Sequence, residues 1–398
     1  MKRIAVIGAG ASGLIASCYA ANNNDVTLFE KENKIGRKLS ATGNGRCNIS
    51  NSKLDVSHYN NNAESFLKIV FDKFGYDETQ KFFFDIGIPF VIEEEKTFPA
   101  SLQASSVIQI FRYELKKRGV NLLLDEKVKS VKNIGSKFLV SSSQESEFDA
   151  VILCAGSMAY PSLGGCKFGY EIASSLGHKV SELKPVIQPV NIPLKSLHRL
   201  EGIKRDVAIM IEIDGQLAGN FWGEILFTSY GISGPAALNA SGLINFLRGQ
   251  SIVIIVDLFP QMDEISLFKL LDSIWKDEDK KISFSLAGIL KERMPEFICN
   301  YMGIDAQAKV KTLNAQARKK LVKTLKEIRL VPGKPRDYSD AVAVNGGVLL
   351  DELDPQSMES KIVKNLFITG ELLDVDGISG GYNLQFAWSS GAIAGMSV

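Results

Sequence analysis

At 398 residues, 45% of them hydrophobic, the chain is long enough for two or three domains with sizeable cores. A charged fraction of 23% with a net charge of +1 argues against a global field that would attract nucleic acid or an acidic membrane. The five cysteines show no CxxC spacing, which argues against a disulfide framework or a cysteine zinc site and is typical of a reducing cytoplasm.

The N-terminal segment predicts a strand, a glycine turn and a helix. Ile4–Ile7 is a continuous apolar run, which is typical of a parallel strand buried on both faces. Gly8, Gly10 and Gly13 follow it as a GxGxxG motif. The first glycine permits the turn, the second lets the backbone approach a pyrophosphate, and the third lets the helix pack on the strand. The motif predicts dinucleotide binding, and the alternative is an ordinary glycine-rich turn.

A second apolar strand, Val26–Phe29, ends in Glu30, whose carboxylate can accept hydrogen bonds from both ribose hydroxyls of an adenine dinucleotide. The next stretch, KENKIGRKLSATGNGRCN, is basic and glycine-rich and is typical of neither a helix nor a strand. Its Arg37, Lys38 and glycine amides are the donors that an extended diphosphate needs. We therefore predict a second clamp around FAD, and the alternative is a surface loop with solvated charges.

The C-terminal segment predicts a strand at Leu366–Thr369, a turn, and a helix that begins near Tyr382 after a glycine pair. Glu371 in the turn is predicted to bind the ribityl chain. The N-terminus of the helix is predicted to face the flavin N1–C2=O edge, where reduction places negative charge. Asp374 and Asp376 lie in the same segment. A role in the cofactor site and a purely structural role in turns and helix capping are equally good interpretations for them.

Two further segments are predicted to approach the cofactor. FDAVILCAG, Phe148–Gly156, is typical of a buried strand whose last small residues allow close approach to a ligand. NLLLDEKVKSV, directly before it, is compatible with a strand in which the backbone of Val128 meets adenine, although any edge strand would have a similar pattern.

Eight stretches, distributed over the whole chain, carry a family resemblance: GAGASGL, GRKLSATGNGRCNISN, TFPASLQASSV, AYPSLG, LFTSYGISGPAAL, NGGV, SMESK and TGELLDVDGISGGYNLQFAWSSGAIAG. They closely resemble the BaiN/aminoacetone-oxidase-like family of bacterial NAD(P)/FAD-dependent oxidoreductases, which are two-dinucleotide flavoproteins. The resemblance implies an α/β fold, in which a Rossmann-like FAD-binding domain is interrupted by an antiparallel β domain and a small helical subdomain. It also implies non-covalent FAD and a redox reaction on a small organic substrate.

The chain departs from the family pattern at four positions. Asn44 replaces a glycine of the clamp, and Ser229 stands where a histidine commonly precedes the GxSGP element. Phe168 replaces an aspartate, and Val344 replaces a threonine. The motifs expected to bind the cofactor are intact, while residues expected near the substrate have changed. The substrate of the family therefore cannot be assigned to this chain by analogy.

The middle of the chain has a different character. Alternating apolar and polar residues around Asp214-Gly215 predict a β-hairpin in an antiparallel layer. LFTSYGISGPAALNASG predicts a turn and a helix, which either face the substrate or pack at a domain junction. Later residues show helical spacing with a break at Met294-Pro295. We predict four parts: 1–187, the first part of the FAD-binding domain; 188–260, the β-rich insertion; 261–330, the helical subdomain; and 331–398, the C-terminal part of the FAD-binding domain.

No side chain stands out as an acid or a base. Cys47 is a weak redox candidate: its basic neighbours Lys38 and Arg46 could lower its pKa, but no second cysteine is near it in sequence, and the favoured interpretation is a structural or flavin-packing role. Tyr382 is a second candidate, with aromatic packing as the alternative role. The three histidines are interpreted as structural or exposed: His58, His178 and His198.

The leading hypothesis is an FAD-dependent oxidoreductase that reduces an enone- or ketone-like compound through flavin N5. NADH or NADPH would bind transiently as the electron donor, since no second GxGxxG is visible. One alternative is a flavin amine oxidase that takes an aminoacetone-like substrate and makes hydrogen peroxide. Another is a flavin-binding RNA-associated or scaffold protein. We expect a cytoplasmic monomer or homodimer with a small-molecule substrate and with no metal, nucleic-acid or membrane partner.

The residues predicted to bind FAD are Gly8, Gly10, Ala11, Ser12, Gly13, Glu30, Lys31, Arg37, Lys38, Ser40, Gly43, Asn44, Gly45, Arg46, Asn48, Val128, Ala155, Gly156, Gly370, Glu371, Asp374, Gly381, Tyr382, Asn383 and Leu384.

Overall fold

A computed structural model describes residues 1–245 and 250–398. Residues 246–249, which belong to the predicted β-rich insertion, lie outside the described residues. The chain forms two compact units, one made of Met1–Pro185 with Val342–Val398 and the other of Val186–Ala341. The finer division into four parts stays a prediction.

The strands are β1 (Arg3–Ile7), β2 (Asp25–Phe29), β3 (Ser50–Asn51), β4 (Phe90–Glu93), β5 (Lys96–Pro99), β6 (Asn121–Leu123), β7 (Ser130–Asn133), β8 (Phe138–Ser141), β9 (Glu145–Phe148), β10 (Ala150–Leu153), β11 (Lys184–Val186), β12 (Val190–Asn191), β13 (Lys204–Ile213), β14 (Gln216–Thr228), β15 (Gly231–Ser233), β16 (Ile252–Asp257), β17 (Ile328–Leu330), β18 (Ala343–Asn345) and β19 (Leu366–Ile368). The helices are α1 (Ala11–Ala20), α2 (Arg37–Ala41), α3 (Glu64–Lys73), α4 (Tyr76–Asp85), α5 (Ala104–Lys117), α6 (Phe168–Ser175), α7 (Lys195–His198), α8 (Pro235–Asn245), α9 (Glu264–Ile274), α10 (Ile282–Leu286), α11 (Met294–Met302), α12 (Ala315–Lys326) and α13 (Tyr382–Ser397). In the described parts of the chain, no helix has the length and apolar character needed to cross a membrane.

The first unit is built on a five-stranded sheet with the order β19-β10-β1-β2-β6, in which every neighbouring pair is parallel. Ile4–Ile7 of β1 and Ala150–Leu153 of β10 are buried, because both faces of the sheet are covered. The predicted Rossmann-like α/β fold is thereby confirmed, and the apolar runs that predicted these two strands are its central strands.

Helices α1 and α13 pack with their backbones in close contact. A Cβ atom at Gly391 would overlap the carbonyl oxygen of Ser12, and one at Gly395 would overlap that of Ala16. Two glycines on one face of α13 therefore let the last helix of the chain lie directly on the first.

The second unit contains a six-stranded antiparallel sheet with the order β12-β15-β14-β13-β16-β17. The predicted hairpin is confirmed: β13 and β14 are joined by Asp214 and Gly215, with φ angles of 50° and 80°. Positive φ at both central residues is the requirement of a tight type I′ turn. Sheet residues such as Val207 share one hydrophobic core with helix residues such as Leu271 and Leu321.

The structure corrects three local predictions. The clamp stretch contains α2, because Gly36 enters the left-handed region at φ 64° and turns the chain into this helix. Thr42–Gly45 is a turn in which Gly43 and Asn44 both have φ 58°, so this part is neither helix nor strand. Val128 is not in a strand, since β6 ends at Leu123 and β7 begins at Ser130. Pro295 lies in the first turn of α11, where its missing N–H costs no hydrogen bond, so a helix begins at the predicted break.

A buried amide fixes α13 to its surroundings. The Gln385 Nε2 atom lies 3.1 Å from the carbonyl oxygen of Gly75, 2.8 Å from Thr79 Oγ1 and 2.9 Å from Ser389 Oγ, and its two N–H groups are shared among these three acceptors. Its Oε1 atom accepts from the hydroxyl of Ser50 in β3. One side chain therefore ties α4, β3 and α13 together.

We expect the substitution Gln385→Leu to lower the free energy of unfolding by about 2–4 kcal/mol, because it leaves the buried Ser50 hydroxyl without its acceptor and removes the bonds that Thr79 and Ser389 accept. The matched control is Gln144→Leu at an exposed position, which should change it by less than about 0.5 kcal/mol. Urea unfolding followed by circular dichroism measures both, and equal midpoints for the two variants would contradict the prediction.

Candidate cofactor site

The predicted cofactor residues converge on one edge of the parallel sheet. Gly8 follows β1, Glu30 follows β2, Ala155 lies just beyond β10, and Gly370 lies just beyond β19. These strands are parallel neighbours, so their carboxyl ends lie together. This is the edge at which open α/β sheets bind ligands.

The predicted residues lie in the β1–α1 turn and the first turn of α1 (Gly8, Gly10, Ala11, Ser12, Gly13), after β2 (Glu30, Lys31), on α2 (Arg37, Lys38, Ser40), in and after the turn Thr42–Gly45 (Gly43, Asn44, Gly45, Arg46, Asn48), after β6 (Val128), after β10 (Ala155, Gly156), after β19 (Gly370, Glu371, Asp374) and at the start of α13 (Gly381, Tyr382, Asn383, Leu384). Val128 follows Glu126, whose N–H donates to the Glu30 carbonyl at 2.9 Å, so its segment lies beside that acid.

The three glycines of the β1–α1 turn differ in their surroundings. Gly8 has φ 105°, and a Cβ atom there would overlap the carbonyl oxygen of Cys154. A Cβ atom at Gly13 would overlap the carbonyl oxygen of Gly8. A Cβ at Gly10 would have no described atom within 4 Å. Gly10 is also the N-cap of α1 and makes no side-chain cap. The open space therefore lies where the second glycine of the motif allows a phosphate to approach a helix N-terminus.

The Glu30 carboxylate is positioned by backbone amides. Its Oε2 accepts from the N–H of Ala9 at 2.8 Å, and its Oε1 accepts from the N–H of Glu32 at 3.0 Å. Burial raises the pKa of Glu30, and the two amide bonds oppose that effect. Each oxygen retains a further lone pair, so the carboxylate can accept ribose hydroxyls.

The cations of the clamp are bound to acids of the same chain. Arg37 pairs with Glu32, and Arg46 Nη2 lies 2.6 Å from Glu93 Oε1. A third cation, from α2, pairs with the acid that follows β19: the Nζ–Oε2 distance between Lys38 and Glu371 is 2.7 Å. The pairs of Lys38 and Arg46 are long-range in sequence, so they hold the clamp to the segment after β19 and to β4.

Glu371 has further partners that fix it at the sheet edge. The hydroxyl of Ser157 donates to Glu371 Oε2 at 3.1 Å, and the hydroxyl of Tyr170 donates to the Glu371 carbonyl at 3.2 Å. The carboxylate thus bridges the segment after β10, the segment after β19 and the clamp.

The start of α13 is bound tightly to β3 and to the preceding loop. Gly381, the N-cap, has φ 107°, and a Cβ there would overlap the carbonyl oxygen of Ser50. The Asn383 amide binds Gly377 twice, since its Oδ1 accepts from the Gly377 N–H and its Nδ2 donates to the Gly377 carbonyl, both at 2.8 Å. The hydroxyl of Tyr59 donates to the Tyr382 carbonyl at 2.8 Å. The helix N-terminus is therefore rigidly placed.

A buried polar atom without a partner adjoins this helix start. Asn48 Oδ1 has no hydrogen-bond partner in the described structure, and it lies 3.0 Å from the Cβ position of Gly381. A Cβ at Gly156 would meet nothing described within 4 Å. A bound FAD would use three features of this site: the unsatisfied acceptor Asn48 Oδ1, the open space at Gly10 and Gly156, and the carboxylate after β2. The residues present therefore fit this cofactor.

The predicted low pKa of Cys47 is wrong. Burial raises the pKa of its thiol to about 12, and the hydrogen bond to Thr42 opposes that effect only weakly. The neighbours that were expected to lower it point to other partners, since Lys38 binds Glu371 and Arg46 binds Glu93. Burial also raises the pKa of Tyr382 to about 12, so neither candidate is poised for proton transfer near neutral pH.

Two of the histidines have structural contacts, as expected. His178 is buried between Glu352 Oε2, 2.9 Å from its Nδ1, and Ser360 Oγ, 2.8 Å from its Nε2. His198 Nε2 lies 2.7 Å from the carbonyl oxygen of Ile192. The third, His58, lies against Tyr382 with ring centroids 4.5 Å apart and ring planes tilted by 41°.

Sequence reasoning missed the partnership between Asn345 and Asp376. Asn345 Nδ2 donates to Asp376 Oδ1 at 2.6 Å, across 31 residues of chain. Burial raises the pKa of Asp376 to about 6, the Asn345 bond opposes this effect, and the charge of Asp374 adds to it. No local signal connects the two residues, because only the fold brings β18 to the loop before α13.

A family model described as HI0933-like protein Rossmann domain matches residues 2–397. A 3-dehydro-bile acid delta(4,6)-reductase from Clostridium scindens is 31% identical over 402 residues, which cover 99% of this chain and 98% of that protein. A ribosomal RNA dihydrouridine synthase from Haemophilus influenzae is 29% identical over 402 residues, which cover 99% of this chain and 97% of that protein. The protein of the same name from Escherichia coli is 29% identical over 394 residues, which cover 97% of this chain and 95% of that protein.

The glycine turn generates a paired prediction. We expect Gly10→Ala to leave the stability of the FAD-free protein within about 0.5 kcal/mol, because its methyl group meets nothing, yet to weaken FAD binding at least about tenfold by filling the space of the pyrophosphate. Gly13→Ala should instead lower the free energy of unfolding by about 3 kcal/mol, because its methyl group overlaps the Gly8 carbonyl. Urea unfolding and FAD titration by flavin fluorescence separate the two effects, and unchanged FAD affinity in Gly10→Ala would contradict the assignment.

The thiols generate a second prediction. In the native protein at pH 8, we expect iodoacetamide to alkylate the half-buried Cys166 and to spare the buried Cys47 until urea unfolds the chain. Peptide mass spectrometry over a time course measures both sites. Labelling of native Cys47 as fast as that of Cys166 would restore the reactive-thiol interpretation.

Proposed function

The chain belongs to the HI0933-like Rossmann family, and on that premise we propose that it is an FAD-dependent oxidoreductase that reduces a carbon–carbon double bond conjugated to a carbonyl group. The observation that carries the proposal is the cradle at the sheet edge, where the open space at Gly10, the Glu30 carboxylate and the start of α13 meet the needs of one dinucleotide cofactor.

The names of the relatives support this reaction type. A delta(4,6)-reductase acting on a 3-dehydro-bile acid reduces double bonds conjugated to a 3-oxo group. Dihydrouridine is uridine reduced at C5=C6, a bond that is conjugated to the C4 carbonyl. The two substrates differ greatly in size and charge, but the reduced bond is of the same kind in both.

The protein groups would bind and orient the cofactor. The N-terminus of α1 at Gly10 would donate backbone N–H groups to the pyrophosphate, and Glu30 would accept the ribose hydroxyls. Glu371 would bind the ribityl chain, and the first N–H groups of α13 would face the pyrimidine edge, where they stabilise negative charge. FAD, when bound, supplies hydride transfer at flavin N5. The remaining residues of the predicted set stay assigned to the same site.

We propose NADH or NADPH as the electron donor. The sequence contains one GxGxxG, and the β1–α1 turn that carries it fits the FAD pyrophosphate. A nicotinamide would therefore bind transiently at the flavin face, deliver its hydride and leave. A cytoplasmic location and a monomer or homodimer stay predictions.

A second candidate is reduction of a uridine in ribosomal RNA, because two of the relatives bear that name over nearly their whole length. The net charge of +1 gives no general support for RNA binding. In that case the reaction would still be reduction of a conjugated double bond. Only the substrate would differ from that of the leading proposal, because it would be a nucleobase.

We expect the purified yellow protein to be bleached by NADH or NADPH without oxygen, and the flavin absorbance to return on addition of 2-cyclohexen-1-one. The matched control is cyclohexanone, which lacks the double bond and should leave the flavin reduced. Stopped-flow absorbance measures both steps. Bleaching by aminoacetone instead of a nicotinamide would contradict the reductase and favour an oxidase.

A ribosomal RNA transcript without modifications decides between the two substrate classes. Reoxidation by the transcript with formation of dihydrouridine, and none by 2-cyclohexen-1-one or a Δ4-3-ketosteroid, would favour the second candidate. A protein that binds no FAD would overturn both.

A further inference from the structure

A carboxyl group is held in a fixed position directly before α13. The N–H of Asp376 donates to Asn60 Oδ1 at 3.1 Å, and its carbonyl accepts from the N–H of Asn60 at 3.0 Å. The side chain is half-buried, and Asn345 Nδ2 donates to its Oδ1. Both the backbone and the carboxyl group of Asp376 are therefore fixed by neutral amides.

This carboxyl group is attached to the helix start that is assigned to the flavin. The next residue, Gly377, exchanges two hydrogen bonds of 2.8 Å with the amide of Asn383, the second residue of α13. Tyr59 packs against the same glycine, with ring carbons 3.0 Å from its Cβ position. Asp376 is thus one residue from a segment that cannot move without the N-terminus of α13.

The surroundings of Asp376 favour its neutral form. Burial raises its pKa to about 6, and Asp374 on the same loop adds a negative charge nearby. The other neighbours are uncharged: β18 contributes the amide of Asn345, and the segment before α3 contributes the amide of Asn60. A bound cofactor and substrate would exclude more water and add negative charge on reduction, and both effects favour the protonated carboxyl further.

The other candidate acids are less suitable. Cys47 and Tyr382 are 0% and 4% exposed, so protein atoms enclose both side chains, whereas Asp376 is half-buried. Glu30 also has a raised pKa, but it lies at the opposite part of the cradle, at the ribose position after β2. Asp376 directly precedes Gly377, which is hydrogen-bonded to the second residue of α13, and its carboxyl group takes part in no ion pair among the described residues, unlike that of Glu371.

Reduction of a conjugated double bond needs a hydride and a proton. Resting on the proposed function, we propose that Asp376 is the acid that donates this proton to the substrate. FAD, when bound and reduced, would supply the hydride that forms a C–H bond at the β carbon, and the electron pair of the double bond would move toward the carbonyl to give the enolate of the substrate. The Asp376 O–H bond then breaks as a C–H bond forms at the α carbon, and the carboxylate regains a proton from water.

The experiment separates the two half-reactions of the FAD-loaded protein. In Asp376→Asn, we expect bleaching by NADPH to stay within about twofold of the native rate, and reoxidation by 2-cyclohexen-1-one to fall by about 10²- to 10⁴-fold. Asp351→Asn, an exposed carboxyl-to-amide change, is the matched control and should change neither rate. Retained flavin absorbance and an unchanged unfolding midpoint show that the variant is folded and loaded.

Two further readouts distinguish a proton donor from a structural residue. Added formic acid should partly restore reoxidation in Asp376→Ala, since a small acid can occupy the vacated space. Infrared difference spectra of the oxidised holoprotein should show a protonated carboxyl band that is lost as the pH rises through about 6 and is missing in Asp376→Asn.

The outcomes are distinct for the two proposals. Native-like reoxidation of Asp376→Asn, or a spectrum without the titrating band, would overturn the role of Asp376 and leave the proposed function intact. A native protein that is bleached by NADPH but is not reoxidised by any conjugated carbonyl compound would overturn the proposed function, and the proton-donor role with it.

Discussion

The contact between the backbones of α1 and α13 is the constraint on which the rest of the first unit depends. No Cβ fits at Gly391 or Gly395, and the Gly370 N–H donates to Ser390 Oγ on the same helix at 3.0 Å. The last helix can therefore lie against the first, and this places its N-terminus at the carboxyl edge of the sheet. The two ends of the chain can form one cofactor cradle because residues nearly 400 positions apart touch through main-chain atoms.

Charge in the cradle is arranged in pairs. Lys38 binds Glu371 across the site, and the two arginines of the clamp bind acids of their own neighbourhood. These partly exposed pairs each contribute little to stability, but they fix the orientation of the clamp. At the N-terminus of α1, where open space adjoins Gly10, oriented N–H groups can attract a phosphate without the help of these paired side chains.

Much of the fold was predictable because its signals are local. The apolar runs of β1 and β10, the glycine turn, the Asp214-Gly215 hairpin and the helix at Tyr382 all follow from periodicity or from φ requirements. The errors concern properties that depend on distant residues. Cys47 has basic neighbours in sequence, yet they bind acids elsewhere, and burial decides its pKa. The Asn345–Asp376 bond joins segments that no sequence pattern connects.

The overlap that a side chain at Gly381 would create with Ser50 has an evolutionary consequence. Where main-chain atoms are in direct contact, almost every substitution of a glycine adds a clashing side chain. The shape of such a surface is therefore expected to be retained during evolution. Divergence among descendants of such a protein must accumulate where side chains, and not the peptide backbone, define the walls.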